Sequence, residues 1–161
     1  MAKMKWTGMT EWESQLFKLG AMSEKVATKA IYEGANIMAD AMRAEIQALP
    51  IDNSYNNSST HVLVGITQTQ KDGLLEGFGI APVQNDNGYI NVKLGFDGYN
   101  ETRTKKYPNG QPNSLIARSV NAGTSFRQAI PFVDRTIRNY KDKTEKAIRD
   151  KLEEEIERLT Q

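Results

Sequence analysis

Between Ser23 and Leu49 the apolar residues Val26, Ala30, Ile31, Ala35, Met38, Met42, Ile46 and Leu49 recur mostly at steps of three and four, and Pro50 follows. That spacing lays one apolar stripe along a helix, and proline cannot continue it, so a long amphipathic helix is expected here. Gly34 interrupts the stripe at a cost of about 1 kcal/mol relative to alanine. A second pattern follows Pro131-Phe132, where Ile137, Tyr140, Thr144, Ala147, Ile148, Lys151, Leu152, Glu155 or Ile156, and Leu159 keep a rough heptad spacing amid dense charge. A second long helix over 134–159 is expected.

The residues around these helices read as shorter elements. Thr10-Glu11-Trp12-Glu13 has the capping-box form, with Trp12, Leu16 and Leu19 on one face, so a short first helix ending near Gly20 is expected. Residues 51–60 are polar turn formers and read as a surface loop. His61 to Ile66 is rich in valine and isoleucine and reads as a short strand, after which Asp72 caps a turn of helix through Leu75. Gly79 to Gln84 and Tyr89 to Phe96 flank Asn85-Asp86-Asn87-Gly88, whose residues tolerate positive φ, so a β-hairpin is expected. Ile90, Val92, Leu94 and Phe96 alternate with polar or small residues, giving it one buried face.

Asp97 to Pro112 follows neither the helix nor the strand period and reads as a long interaction loop. Asn113 then caps a short helix carrying Leu115, Ile116 and Val120, which Gly123 ends in the left-handed conformation. The expected class is α+β: two long helices packed on a small antiparallel sheet, with a long projecting loop, in a single domain over 1–161.

Composition narrows the function classes. The 161 residues are 39% hydrophobic and 25% charged, ordinary for one folded domain. The formal charge is +1, with six basic and six acidic residues in 1–50, two and five in 51–100, and thirteen and nine in 101–161. That is a mild polarity rather than a nucleic-acid footprint. Cysteine is absent, so disulfides and thiolate metal sites are excluded, and a reducing cytoplasm is favoured. No stretch approaches the ~18 apolar residues of a membrane span, and residues 1–10 lead into no apolar run of signal length, so neither a membrane nor export is expected.

The residues that carry chemistry are sparse. His61 is the only histidine and has no signature beside it, so it reads as a surface or strand-edge residue rather than a base. Asp86-Asn87-Gly88 lacks the spaced acids of a calcium loop and reads as a turn. The region Gly73 to Gly79 lacks the lysine and hydroxyl of a phosphate-binding loop. Glu153, Glu154, Glu155 and Glu157 stand at pairing distance from Arg149, Lys151 and Arg158 and read as a charged helix face. Met38 and Met42 lie on the apolar stripe as core filler. No catalytic, cofactor or metal residue is expected. The candidate partner interface is Arg103, Lys105, Lys106, Tyr107 and Asn109, where cations adjoin an aromatic ring. An acidic protein surface is the favoured partner, and nucleic-acid phosphate, contacted through residues 103–107, is the alternative.

Several segments, taken in order, resemble the tail completion, or head-to-tail joining, family of long-tailed bacteriophages. They are Glu33-Gly34-Ala35, Gly79-Ile80-Ala81-Pro82, Leu94-Gly95-Phe96-Asp97-Gly98-Tyr99-Asn100, Tyr107-Pro108-Asn109-Gly110, Ala117-Arg118-Ser119-Val120, Gly123-Thr124 and Pro131-Phe132. The similarity covers most of the chain and lies in the order and spacing of short pieces. Val133-Asp134-Arg135 departs from the proline, alanine or arginine that often follows Pro-Phe in that family.

The resemblance implies a non-enzymatic α+β virion subunit without cofactors. It implies a ring, commonly a hexamer, at the head-proximal end of the tail tube, meeting the tail tube protein below and the head connector or stopper protein above. The chain would sit in the virion neck and assemble in the host cytoplasm. The resemblance implies no membrane partner and at most incidental contact with DNA.

Overall fold

The computed structural model describes residues 9–54 and 62–160. Helix α1 (Met9–Ala48) runs through Gly20 without a break, so the separate short helix expected at the start of the chain is absent. Thr10 lies inside α1 rather than at a cap. A glycine only weakens a helix unless the chain turns there, and at Gly20 the local carbonyl also accepts a hydrogen bond from Ser23 Oγ at 2.8 Å. The side chains of Trp12, Leu16 and Leu19, His61, and residues 55–60 of the polar loop lie outside the described part. Pro50 ends α1 as expected, and Lys71 Nζ donates to the Leu49 carbonyl at 3.0 Å, satisfying one of the carbonyls left open at the helix end.

The second long helix, α4 (Phe132–Thr160), lies antiparallel against α1. Two ion pairs fix the register, Arg135 to Glu45 at 2.5 Å near one end and Lys29 to Glu155 at 2.6 Å near the other. Gly34 stands between them. A Cβ there would strike the Ile148 side chain and lie 3.1 Å from Thr144 Cγ2, so the glycine lets the two helices close up. The long helices therefore pack chiefly on each other, and small sheets lie along α1, from Tyr32, whose hydroxyl accepts from Val83 N at 3.4 Å, to its C-terminal end.

That end holds the core. Ile46, Ile66, Leu74, Val120 and Phe132 are fully buried, and the Phe96 ring lies 5.2 Å from Phe78 and 6.2 Å from Phe132. Each such side chain contributes roughly 1.5–3 kcal/mol relative to exposure. Asn121 on α3 (Asn113–Ala122) accepts from the backbone nitrogens of Val133 and Asp134, at 3.0 and 3.4 Å, and so caps α4 from outside.

The expected hairpin is present in two halves. Strand β1 (Phe78–Ile80) pairs with β4 (Leu94–Phe96), and β2 (Gln84–Asp86) with β3 (Tyr89–Asn91). Three residues of one arm face two of the other between the halves, a one-residue bulge. Asn87 and Gly88, at φ 55° and 92°, make the turn. The strand expected over His61–Ile66 is not formed: Leu63 and Ile66 make isolated bridges to Arg127 and Ile51. Their partners are irregular segments, so the two buried side chains anchor the stretch without extending a ladder.

Helix α2 (Gln68–Gly77) is capped by Thr67, whose Oγ1 accepts from Gln70 N at 3.2 Å, while Gln70 Oε1 accepts from Thr67 N at 3.4 Å. Asp72, expected as the cap, sits in the second turn and accepts from Gln68 Nε2 at 2.7 Å. Helix α3 (Asn113–Ala122) also starts otherwise than expected: Pro112 precedes it and Asn113 is buried. Gly123 ends α3 at φ 76°, as expected of a positive φ, but with an extended ψ of 171° in place of the left-handed helical value.

Candidate functional site

The stretch 97–112, expected as a loop without regular structure, is a hairpin. Strand β5 (Tyr99–Asn100) pairs with β6 (Gln111–Pro112), and Gln111 N donates to the Thr102 carbonyl at 3.0 Å. Thr104 and Tyr107 exchange two backbone hydrogen bonds of 3.1 Å each at its tip. A strand period fails to appear because each strand has only two residues.

Two buried asparagines mount this hairpin on α2. Asn100 Nδ2 donates to the Thr69 carbonyl at 2.8 Å, and its Oδ1 accepts from Thr102 N at 2.9 Å and Thr102 Oγ1 at 2.6 Å. Asn113 Nδ2 donates to the Asp97 carbonyl at 2.8 Å. Both fit because Gly73 and Gly77 stand one turn apart on α2. A Cβ on Gly73 would fall on the Asn100 amide, and one on Gly77 would meet the Asp97 carbonyl oxygen and the Asn113 amide. Gly73 and Gly77 thus serve close packing, whereas Gly79 has open space beside it.

The five candidate interface residues all come together on the tip. Arg103, Lys105, Lys106 and Asn109 are exposed, whereas Tyr107 is half-buried, with Lys106 Nζ 5.5 Å from its ring centre. A second feature lies at the hairpin's base, where Asp72, Glu76 and Glu101 line a concavity of about 260 Å³ beside Tyr99, which is 73% exposed. Sequence reasoning missed it, although Asp72 and Glu76 are four residues apart on a helix and so share a face. Among the described residues, none of these six charged side chains forms an ion pair within the subunit.

In the glutamate-rich end of α4, Glu153, Glu154 and Glu157 are exposed as a charged face requires, and Glu155 alone is buried. Glu155 is 6% exposed and pairs with Lys29 of α1, with Lys151 at 3.3 Å and with Arg158 at 3.3 Å. The Lys29 hydrogen bond holds its carboxyl below the ordinary range, against the opposing effect of desolvation. The hydrogen bond to Glu154 raises the Lys151 ammonium above its ordinary value. Met42 is buried in the core, and Met38 lines an apolar groove with Phe78, Leu94, Phe96 and Ile137.

Among the described residues no three His, Asp or Glu side chains stand close enough to hold a metal ion, and no helix is long and apolar enough to cross a membrane. Family models, curated proteins and solved structures were compared with the chain, and none matches.

Proposed function

We propose that this chain is a structural, non-enzymatic virion subunit that forms a ring at the head-proximal end of a phage tail tube and joins the tail to the head connector. The observation that carries the reading is the β5–β6 hairpin, whose tip presents three exposed cations on a hydrogen-bonded mount. A charged, pre-ordered projection suits docking between proteins, because little ordering entropy is lost on contact and opposite charge steers the encounter. The ordered resemblance to tail completion proteins supplies the partners: neighbouring copies, the tail tube protein and the connector or stopper.

Nucleic-acid binding through residues 103–107 is the rival use of the same tip. Single-strand binding draws on bare aromatic faces, and here Lys106 lies over the half-buried Tyr107 ring, which weighs against base stacking. Electron microscopy of particles made without this protein tests the proposal. Filled heads beside unattached tails are the expected result, and overlong tails would add a role in stopping tail growth. Normally joined virions would refute it.

A further inference from the structure

The two ends of the β5–β6 hairpin carry opposite charge. Its tip holds Arg103, Lys105 and Lys106, all exposed, and at its base Glu101, with Asp72 and Glu76 of the adjoining α2, forms an acidic recess beside the exposed Tyr99. Carboxylates around an exposed aromatic ring suit a cationic side chain, since the ring adds cation–π attraction to the ionic one. An antiparallel hairpin puts its turn at the end away from its base, so a subunit's tip points away from its own recess. The complement of each surface is therefore offered by another molecule.

Donor and receptor are different surfaces, which makes such a contact heterologous, and heterologous contacts propagate head to tail until they close into a ring. Resting on the ring reading above, we infer that the tip of one subunit docks in the acidic recess of the next copy of the same chain.

Charge exchange tests this. Sedimentation velocity of the full chain compares the wild type, a tip variant (Arg103→Glu, Lys105→Glu, Lys106→Glu) and a recess variant (Asp72→Lys, Glu76→Lys, Glu101→Lys). Each variant alone sets like charges against each other, and its self-association weakens roughly tenfold to a hundredfold. A one-to-one mixture restores assembly, because every junction again joins opposite charges. The single-site pair Lys105→Glu and Glu76→Lys repeats the exchange with the least disturbance to folding, and added salt weakens wild-type assembly.

Variants that assemble like the wild type, or a mixture of folded variants that stays dissociated, would overturn the contact alone. A wild type that remains monomeric at every concentration would overturn the ring reading with it. Duplex DNA binding that disappears on tip reversal while assembly persists would assign the tip to phosphate instead.

Discussion

Replacing Gly73 with alanine should destabilise the protein, although helix propensity alone argues for the opposite. Alanine in the interior of α2 gains about 1 kcal/mol over glycine. Its Cβ, however, would occupy the place of the Asn100 amide nitrogen and come within 3.1 Å of Asn113 Oδ1. Asn100 is 3% exposed and cannot swing into solvent, so it must give up its 2.8 Å hydrogen bond to the Thr69 carbonyl. Leaving those buried groups unpaired costs about 1–3 kcal/mol, and forcing the extra methyl into a packed contact costs about 1–3 kcal/mol more. The net loss is roughly 3 kcal/mol, a large share of the 5–15 kcal/mol typical of a domain. With a urea slope of about 2 kcal/mol/M the midpoint of unfolding, followed by far-ultraviolet circular dichroism, falls by about 1.5 M. In an Asn100→Ala background the severe overlap is gone and only the 3.1 Å approach to Asn113 Oδ1 remains, so the same Gly73→Ala change costs far less than in the wild type or becomes neutral. A Gly73→Ala protein as stable as the wild type, or equally damaged in both backgrounds, would refute the reasoning.

Gly34→Ala follows the same logic on α1: overpacking against Ile148 of about 1–3 kcal/mol outweighs the helical gain of about 1 kcal/mol. Urea midpoints should show a net loss that reverses when Ile148 is truncated to alanine, and persistence of the loss in that background would contradict the close approach. Acid stability depends on Glu155, whose folded carboxyl titrates below its ordinary 4.5 because Lys29 hydrogen-bonds it. The native state then binds fewer protons than the unfolded chain, so this contribution is complete above the ordinary value and is lost as pH falls through the lower, folded one. Glu155→Gln should flatten the decline of stability measured from about pH 7 to about pH 3. An unchanged slope would mean that the Lys29 contact does not favour the ionised form. Lys151 acts in the opposite direction, holding its contribution below 10.5 and losing it as pH rises through its higher folded value.

What the sequence determined by itself is what neighbours in the chain decide together. The apolar period fixed the helix ending at Pro50 and the one beginning after Pro131, and Asn87-Gly88 set the hairpin turn through its tolerance of positive φ. The run from Arg103 to Asn109 marked the exposed tip, because a cluster of cations has no place in a core. Thr67-Gln68-Thr69-Gln70 is equally legible as a capping box, and it rather than Asp72 caps α2. Other features depended on residues far apart in sequence, and only the tertiary structure decided them. Gly34 reads locally as a weak point, and only the arrival of α4 makes it the place where two helices touch. Asn100 and Asn113 look like turn and cap residues, yet α2 supplies two glycines that admit them and so turns an apparent loop into a mounted hairpin. Glu155 belongs by pattern to a charged face, and Lys29, 126 positions earlier on another helix, draws its carboxylate into a part-buried ion pair. Period and turn chemistry are properties of adjacent residues, whereas the distance at which two elements meet is a property of the pair.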